Sequence, residues 1–188
     1  AVYTARFIPG KIVRLFREHR PSLFIGIPSM FNALLHSKDA APEDFARCRY
    51  VVSGGEPLPG AVFDGFRERF GVTINEGYGL SETSPVTNWC RPDEFRRGSV
   101  GRPLPGVEER IVSMETGEDL GPGLEGEIRI KGPNLMQGYF KKPRESADAL
   151  DERRFLRTGD IGRFDADGHL FITGRPKELL IIGGENGF

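Results

Sequence analysis

Gly77-Tyr78-Gly79-Leu80-Ser81-Glu82-Thr83-Ser84-Pro85-Val86 gathers an aromatic ring, several hydroxyls and one carboxylate on a stretch loosened by two glycines. Glycine at 77 and 79 lets the backbone turn and run close to a ligand. Tyr78 can stack on a base, Ser81 can meet a phosphate oxygen, and Glu82 can hold Mg²⁺. The same residues also read as a polar turn after a buried strand, with Tyr78 an ordinary buried aromatic, Ser81 a helix cap and Glu82 its first-turn acid. What flanks the stretch bears on the choice.

Upstream, helix and strand signals alternate. Pro9 suits the first position of a helix, and Ile12, Leu15, Phe16 and His19 fall at three- and four-residue spacing behind it. Residues 22–27 are a short apolar run that reads as a buried strand, and 28–35 open a second helix. Residues 50–52 predict a strand entering the Gly54-Gly55 turn. Pro59 then starts a helix with Val62, Phe63, Phe66 and Phe70 on one face and Gly71 to close it. Residues 72–75 form the next strand, which delivers the Gly77 turn at its carboxyl end. Such alternation predicts a parallel sheet, with ligands held beyond the carboxyl ends of its strands.

From about Gly98 the pattern changes. Residues 107–112, 127–131, 160–165 and 169–173 are short alternating strands separated by Gly, Pro and Asp clusters, which predicts antiparallel hairpins or a small distorted β-barrel. Asp165-Ala166-Asp167-Gly168 lacks the later ligands of a calcium loop and reads as a hairpin turn. Gly121-Pro122-Gly123-Leu124-Glu125-Gly126 matches a dinucleotide-binding spacing. A strand follows it instead of a helix, and Pro122 lacks an amide, so it is not one. The expected fold is α/β in three parts: an αβ subdomain over 1–97, a β-barrel subdomain over 98–174, and a hinge with the start of a further domain over 175–188.

Composition narrows the classes of partner. A net charge of −1, with basic residues scattered along 188 positions, argues against nucleic acid and confines any phosphate binding to a local site. Cys48 and Cys90 stand far apart, which suits reduced thiols and a cytoplasmic setting. No apolar run approaches the ~20 residues of a membrane span, so any membrane contact would be peripheral. The chain starts without Met and stops after a Gly-Gly loop, and it reads as a segment of something longer.

Further motifs recur in order. They are Ser53-Gly54-Gly55-Glu56-Pro57-Leu58, residues 126–134, Arg157-Thr158-Gly159-Asp160, Gly174-Arg175-Pro176-Lys177, and Gly183-Gly184-Glu185-Asn186. With 77–86 they resemble the adenylate-forming superfamily of acyl-CoA synthetases, luciferases and peptide-synthetase adenylation domains, over nearly the whole chain. The resemblance implies an AMP-forming ligase that uses ATP, Mg²⁺ and coenzyme A. It also implies an upstream phosphate loop and a lid domain with a catalytic lysine, and neither is present in this sequence.

Individual roles follow from the same resemblance. Gly55, Glu56 and Pro57 on one side and Tyr78 on the other would sandwich adenine, with Glu76 at its amine and Gly77 and Gly79 admitting the nucleotide. Ser81 stands where the family usually has Thr and would meet the α-phosphate; Glu82 would bind the metal. Asp160 would take the ribose hydroxyls and Arg175 would reach ribose and phosphates, although taken alone they read as a turn residue and a solvated charge. Lys177 would be the hinge between half-reactions, and Gly183 and Gly184 would line the pantetheine path. Gly26, Pro28, Ser29, Val52, Ser53, Gly54, Gly79, Pro85 and Val86 would face the acyl side, small or apolar with no charge for an amino-acid amine. Phe31-Asn32-Ala33-Leu34-Leu35 and Ser84-Pro85-Val86 resemble medium- or long-chain fatty acyl-CoA ligases, with an aryl acid as the alternative. By itself the chain is expected to be inactive as a ligase, fit only for binding nucleotide or acyl-adenylate. It is also expected to self-associate through bare apolar faces of the helices near 11–20 and 59–70.

Overall fold

The structure, a computed structural model, describes residues 1–175. In chain order its elements are α1 (Pro9–His19), β1 (Leu23–Gly26), α2 (Pro28–Leu35), α3 (Pro42–Phe45), β2 (Tyr50–Ser53), α4 (Gly60–Phe70) and β3 (Ile74–Tyr78). They continue with β4 (Asn88–Trp89), β5 (Arg102–Pro103), β6 (Glu108–Val112), β7 (Gly126–Lys131), α5 (Pro143–Asp148), β8 (Leu156–Phe164) and β9 (Leu170–Gly174). The fold class is α/β, with parallel strands first and an antiparallel sheet after them. Two compact units divide it: residues 1–77 with 91–93, and residues 78–90 with 94 onward.

In the first unit β1, β2 and β3 run parallel, with Leu23 opposite Tyr50, Val51 opposite Ile74 and Ser53 opposite Glu76. Parallel neighbours need crossovers, and the helices between them supply these. Proline at the first turn of α1 and α2 sets the helical φ where no amide partner is needed. Gly71 ends α4 in the left-handed conformation at φ 69°, its amide bonded to the Arg67 carbonyl.

The core of this unit is a seam of phenylalanines. Phe16, Phe24, Phe31, Phe66 and Phe45 contact one another in turn, with ring centroids 5.1–5.5 Å apart, and Phe70 joins Phe45 at 4.6 Å. Most of these pairs are edge-to-face or tilted, as the ring quadrupole favours. Arg69 ties the loop after α2 in place by donating to the carbonyls of Leu35, Ser37 and Ala40. The expectation that α1 and α4 leave their apolar faces bare is overturned, because Ile12, Val13, Phe16, Val62, Phe63, Phe66 and Phe70 are all buried within the unit. The seam folds both faces onto one small sheet. Exposed apolar side chains of this unit lie instead before α1, at Val2, Tyr3 and Ile8, and on β1 and just after it, at Leu23, Ile25 and Ile27.

In the second unit β4 pairs antiparallel with β5, and β6, β7, β8 and β9 form an antiparallel sheet in that order. The alternation read from the sequence is visible as Ile128 and Ile130 buried and Arg129 turned to the other face of β7. On that other face Asp151 accepts from Arg110 and, at 3.0 Å, from Arg129, and Asp119 joins Arg110 to Arg153. The expected hairpin turn at 165–168 joins β8 to β9, with the Asp165 carboxylate accepting from the amides of Asp167 and His169. None of the helices among the described residues is long and apolar enough to cross a membrane.

Candidate active site

Gly77 is not in the turn that the sequence suggested. It lies within β3, which continues through Tyr78, and neither Gly77 nor Gly79 has a positive φ. The chain reverses three residues later, over Leu80 to Ser84, where Ser81–Thr83 form a single 3₁₀ turn closed by Ser84 in the left-handed region at φ 53°. Gly79 is required for a different reason: a Cβ there would sit 1.8 Å from the Pro85 carbonyl oxygen. Two backbone segments pass too closely for any side chain.

Thr83, not Ser81, satisfies the turn. Its buried hydroxyl accepts from the Leu80 amide at 2.9 Å and stands within reach of the Leu80 and Pro85 carbonyls. Ser81 is thereby left exposed, with its hydroxyl on the surface, and Glu82 is half-buried beside it. The segment after β7 straps the turn from outside: Asn134 Nδ2 donates to the carbonyls of Thr83 and Val86, and the Met136 amide donates to the Glu82 carbonyl at 2.8 Å. Tyr139 then donates its phenol proton to Glu82 Oε1, also at 2.8 Å.

Tyr78 and Asp160 meet across 82 positions of sequence, the phenol donating to Asp160 Oδ2 at 2.6 Å. Burial, reinforced by the Asp160 charge, raises the Tyr78 phenol far above its usual range, so it stays a donor. Asp160 Oδ1 is paired with Arg175 Nε at 2.7 Å. Asp160 is fixed from below as well, because its amide donates to Thr158 Oγ1, whose own hydroxyl donates to the Ile128 carbonyl. A buried carboxylate thus lies between a phenol and a guanidinium, on β8, one of the two inner strands of the antiparallel sheet.

Behind Tyr78 lies a second buried acid. Thr87 donates its amide to the Tyr78 carbonyl and its hydroxyl to Asn88 Oδ1, and Asn88 Nδ2 donates to Glu109 Oε2 at 3.0 Å. Glu109 Oε1 is sealed from solvent with no hydrogen-bond partner. Burial therefore pushes the Glu109 carboxyl up to about 7, with the Asn88 and Thr87 donors holding it only partly in check.

Gly55, Glu56, Pro57, Glu76 and Gly77 belong to the first unit. The Gly54 amide donates to the Gly26 carbonyl at 3.2 Å, and Gly55 turns the chain at φ 84°, leaving Gly55, Glu56 and Pro57 exposed. Burial raises the Glu76 carboxyl, and a hydrogen bond with the Leu58 backbone pulls it part of the way back. A cavity of about 390 Å³ in this unit, lined by Phe16, Arg17, Arg20, Glu43, Asp44, Ala46 and Arg47, contains none of the expected site residues. Lys177, Gly183 and Gly184 lie outside the described residues.

Among the described residues no three His, Cys, Asp or Glu side chains converge on a metal position. Glu82 alone could contribute one carboxylate to a Mg²⁺ whose other ligands were phosphate and water oxygens, a set that ion accepts. Of the residues the sequence singles out, Tyr78, Gly79, Ser81, Glu82, Asp160 and Arg175 fall in the second unit. Thr83, Asn134, Tyr139, Thr158 and the Asn88–Glu109 pair, which support them, are assigned no role by the sequence.

A parallel αβ unit followed by an antiparallel sheet, with an acid-bearing turn and a Tyr–Asp–Arg cluster in the second unit, has counterparts among known proteins. The sequence profile described as AMP-binding enzyme matches residues 1–140. The chain is 38% identical over 185 residues to a long-chain-fatty-acid–CoA ligase of Bacillus subtilis, covering 96% of this chain and 32% of that protein. It is 36% identical over 185 residues to a probable 4-coumarate–CoA ligase of Dictyostelium discoideum, covering 97% of this chain and 34% of the other. The crystal structure of ATP-bound MatB from Rhodopseudomonas palustris superposes with a TM-score of 0.86 at 34% identity, covering 99% of this chain and 37% of that one. The chain belongs to the AMP-binding enzyme family, and it spans about a third of the length of the relatives it matches.

Proposed function

We propose that the protein carrying this chain is an ATP-dependent carboxylic acid–CoA ligase acting on medium- or long-chain fatty acids. The observation that carries the reading is the Tyr78–Asp160 hydrogen bond, which joins an aromatic face to a buried carboxylate suited to a vicinal diol. Adenine would stack on Tyr78, and Gly55, Glu56, Pro57 and Glu76 would keep the adenine-binding roles that the resemblance implies. Asp160 would accept from the ribose hydroxyls while Arg175 reaches from its far side. Ser81 would donate to the α-phosphate.

The substrate carboxylate attacks the α-phosphorus, the bond to the departing pyrophosphate breaks, and acyl-AMP forms. The thiol of coenzyme A then displaces AMP to give the thioester. Mg²⁺ on Glu82 would neutralise charge that builds on the phosphate oxygens during the first step. Lys177 would be the hinge between the two half-reactions, and Gly183 and Gly184 the pantetheine path. The fatty-acid choice is supported by the 38% identity with the Bacillus ligase and by the lack of charge at Gly26, Pro28, Val52, Pro85 and Val86. A 4-coumarate-like aryl acid is the second reading, supported by a relative of nearly equal identity. A cytoplasmic location and peripheral membrane contact accompany the fatty-acid reading.

The test is pyrophosphate release by the full protein over a panel of fatty and aryl acids, with Glu82→Gln beside it. Fatty acids should turn over best, and Glu82→Gln should lower adenylation far more than acid binding. Equal loss of both, or no turnover with any carboxylic acid, would refute the assignment; the isolated chain should release no pyrophosphate above background.

A further inference from the structure

The strap formed by residues 132–140 ends on a side chain with no part in the reading above. Asn134 and Met136 grip only backbone, and they fix the position of the 80–86 turn. Tyr139 is different, because it grips the functional group itself, its hydroxyl 2.8 Å from Glu82 Oε1. The ring is 38% exposed. A hydrogen bond so open to water adds little stability, so its worth must lie in where it holds the carboxylate.

Tyr139 is itself held. Its amide donates to Ser146 Oγ at 2.8 Å, and that hydroxyl donates onward to the Lys142 carbonyl at 2.6 Å, anchoring the tyrosine to the start of α5. Gly138 lets the chain approach: its φ is 147°, and a Cβ there would come within 3.0 Å of Ser146 Oγ. One line of hydrogen bonds therefore runs from α5 through Ser146 and Tyr139 to one oxygen of Glu82. An unanchored glutamate on a surface turn samples many rotamers, and each must be given up before it can bind a cation. Carboxylates that ligate metals are commonly oriented by such outer partners.

We propose that Tyr139 is a positioning residue for Glu82. Its hydroxyl occupies Oε1 and leaves Oε2 as the oxygen that would meet a cation accompanying the nucleotide phosphates. This rests on the assignment of Glu82 as the cation ligand.

The test uses the full protein, Mn²⁺ as the probe and ATP, with free Mn²⁺ read by electron paramagnetic resonance. Tyr139→Phe should weaken Mn²⁺ binding in the presence of ATP about tenfold, while ATP affinity measured in chelator stays at the unmutated value. In a Glu82→Gln background, Tyr139→Phe should add nothing. Ser146→Ala, which keeps the phenol but frees its anchor, should weaken Mn²⁺ binding less than Tyr139→Phe. Unchanged Mn²⁺ affinity in Tyr139→Phe alone would overturn the inference and leave the Glu82 assignment standing. An equal loss of ATP affinity in chelator would also overturn it, by making Tyr139 a general support of the turn. If Glu82→Gln itself leaves Mn²⁺ binding unchanged, both the assignment and the inference fall.

Discussion

Replacing Glu109 by Gln should flatten the pH dependence of stability in the antiparallel unit. The carboxyl sits on β6 with Oε2 accepting from Asn88 and Oε1 sealed without a partner, and burial lifts it from 4.5 to about 7. Because the folded value lies above the unfolded one, the folded chain holds the proton longer. The stabilising contribution is full below the unfolded value and is lost as pH rises through about 7. A gap of that size corresponds to about 3 kcal/mol as an upper figure. Gln keeps an oxygen for Asn88 but places an unpaired amide where Oε1 was, which costs about 1–3 kcal/mol at every pH. That offset cancels when slopes are compared. Urea unfolding followed by circular dichroism at about pH 5 and about pH 8.5 should therefore show the unmutated protein losing stability between the two and Glu109→Gln losing much less. Hydrogen exchange at Ile128 and Ile130 amides of β7 localises the change. Parallel pH slopes for the two proteins would refute the reasoning, since they would mean that Glu109 ionises in the folded state as readily as in the unfolded one.

Gly79→Ala forces a Cβ to within 1.8 Å of the Pro85 carbonyl, where backbone and not a flexible side chain must move. It should cost about 1–3 kcal/mol and abolish ATP binding in titration calorimetry, whereas Gly121→Ala, with open space around it, should do neither. Asp151→Asn tests the opposite electrostatic case. Burial alone would raise this carboxyl, but the Phe155 amide and the guanidinium groups of Arg129 and Arg110 outweigh it and hold it below the usual carboxylate range. Its contribution is present above the unfolded carboxylate range and lost as pH falls through the folded value. The variant should be about 2–3 kcal/mol less stable at neutral pH and should converge with the unmutated protein in acid, as thermal unfolding at both pH values would record.

The parallel half was legible because each of its signals was local. Prolines opened α1 and α2, Gly71 closed α4, and the stripe of Val62, Phe63, Phe66 and Phe70 faced inward as its spacing required. The short α3 carried no such stripe and was not foreseen. In the antiparallel half, alternation placed β6 to β9 to within a few residues, though β8 begins four positions earlier than its expected start. The expected turn at Gly77 fell three residues early, because a glycine inside a strand looks the same as one in a turn until the neighbouring backbone is known. Tyr139 gave no sign either. Nothing in sequence links position 139 to position 82 before β7 and its strap are folded. Glu109 was half legible: two adjacent glutamates in a strand must point to opposite faces, so one of Glu108 and Glu109 had to meet the core.

The aromatic inventory of the two units has a spectroscopic consequence. The sequence holds one tryptophan, Trp89, which lies in β4 and so in the antiparallel unit. The parallel unit holds phenylalanines and only Tyr3 and Tyr50 besides. Indole fluorescence of this chain therefore reports the second unit alone. Eight of the fourteen phenylalanines lie in the first unit, and rings locked edge-to-face at Phe16, Phe24, Phe31, Phe45 and Phe66 sit in an asymmetric setting, so the near-ultraviolet dichroic bands of phenylalanine are weighted toward that unit. Recorded together during one unfolding run, the two signals reveal which unit melts first, without labelling either.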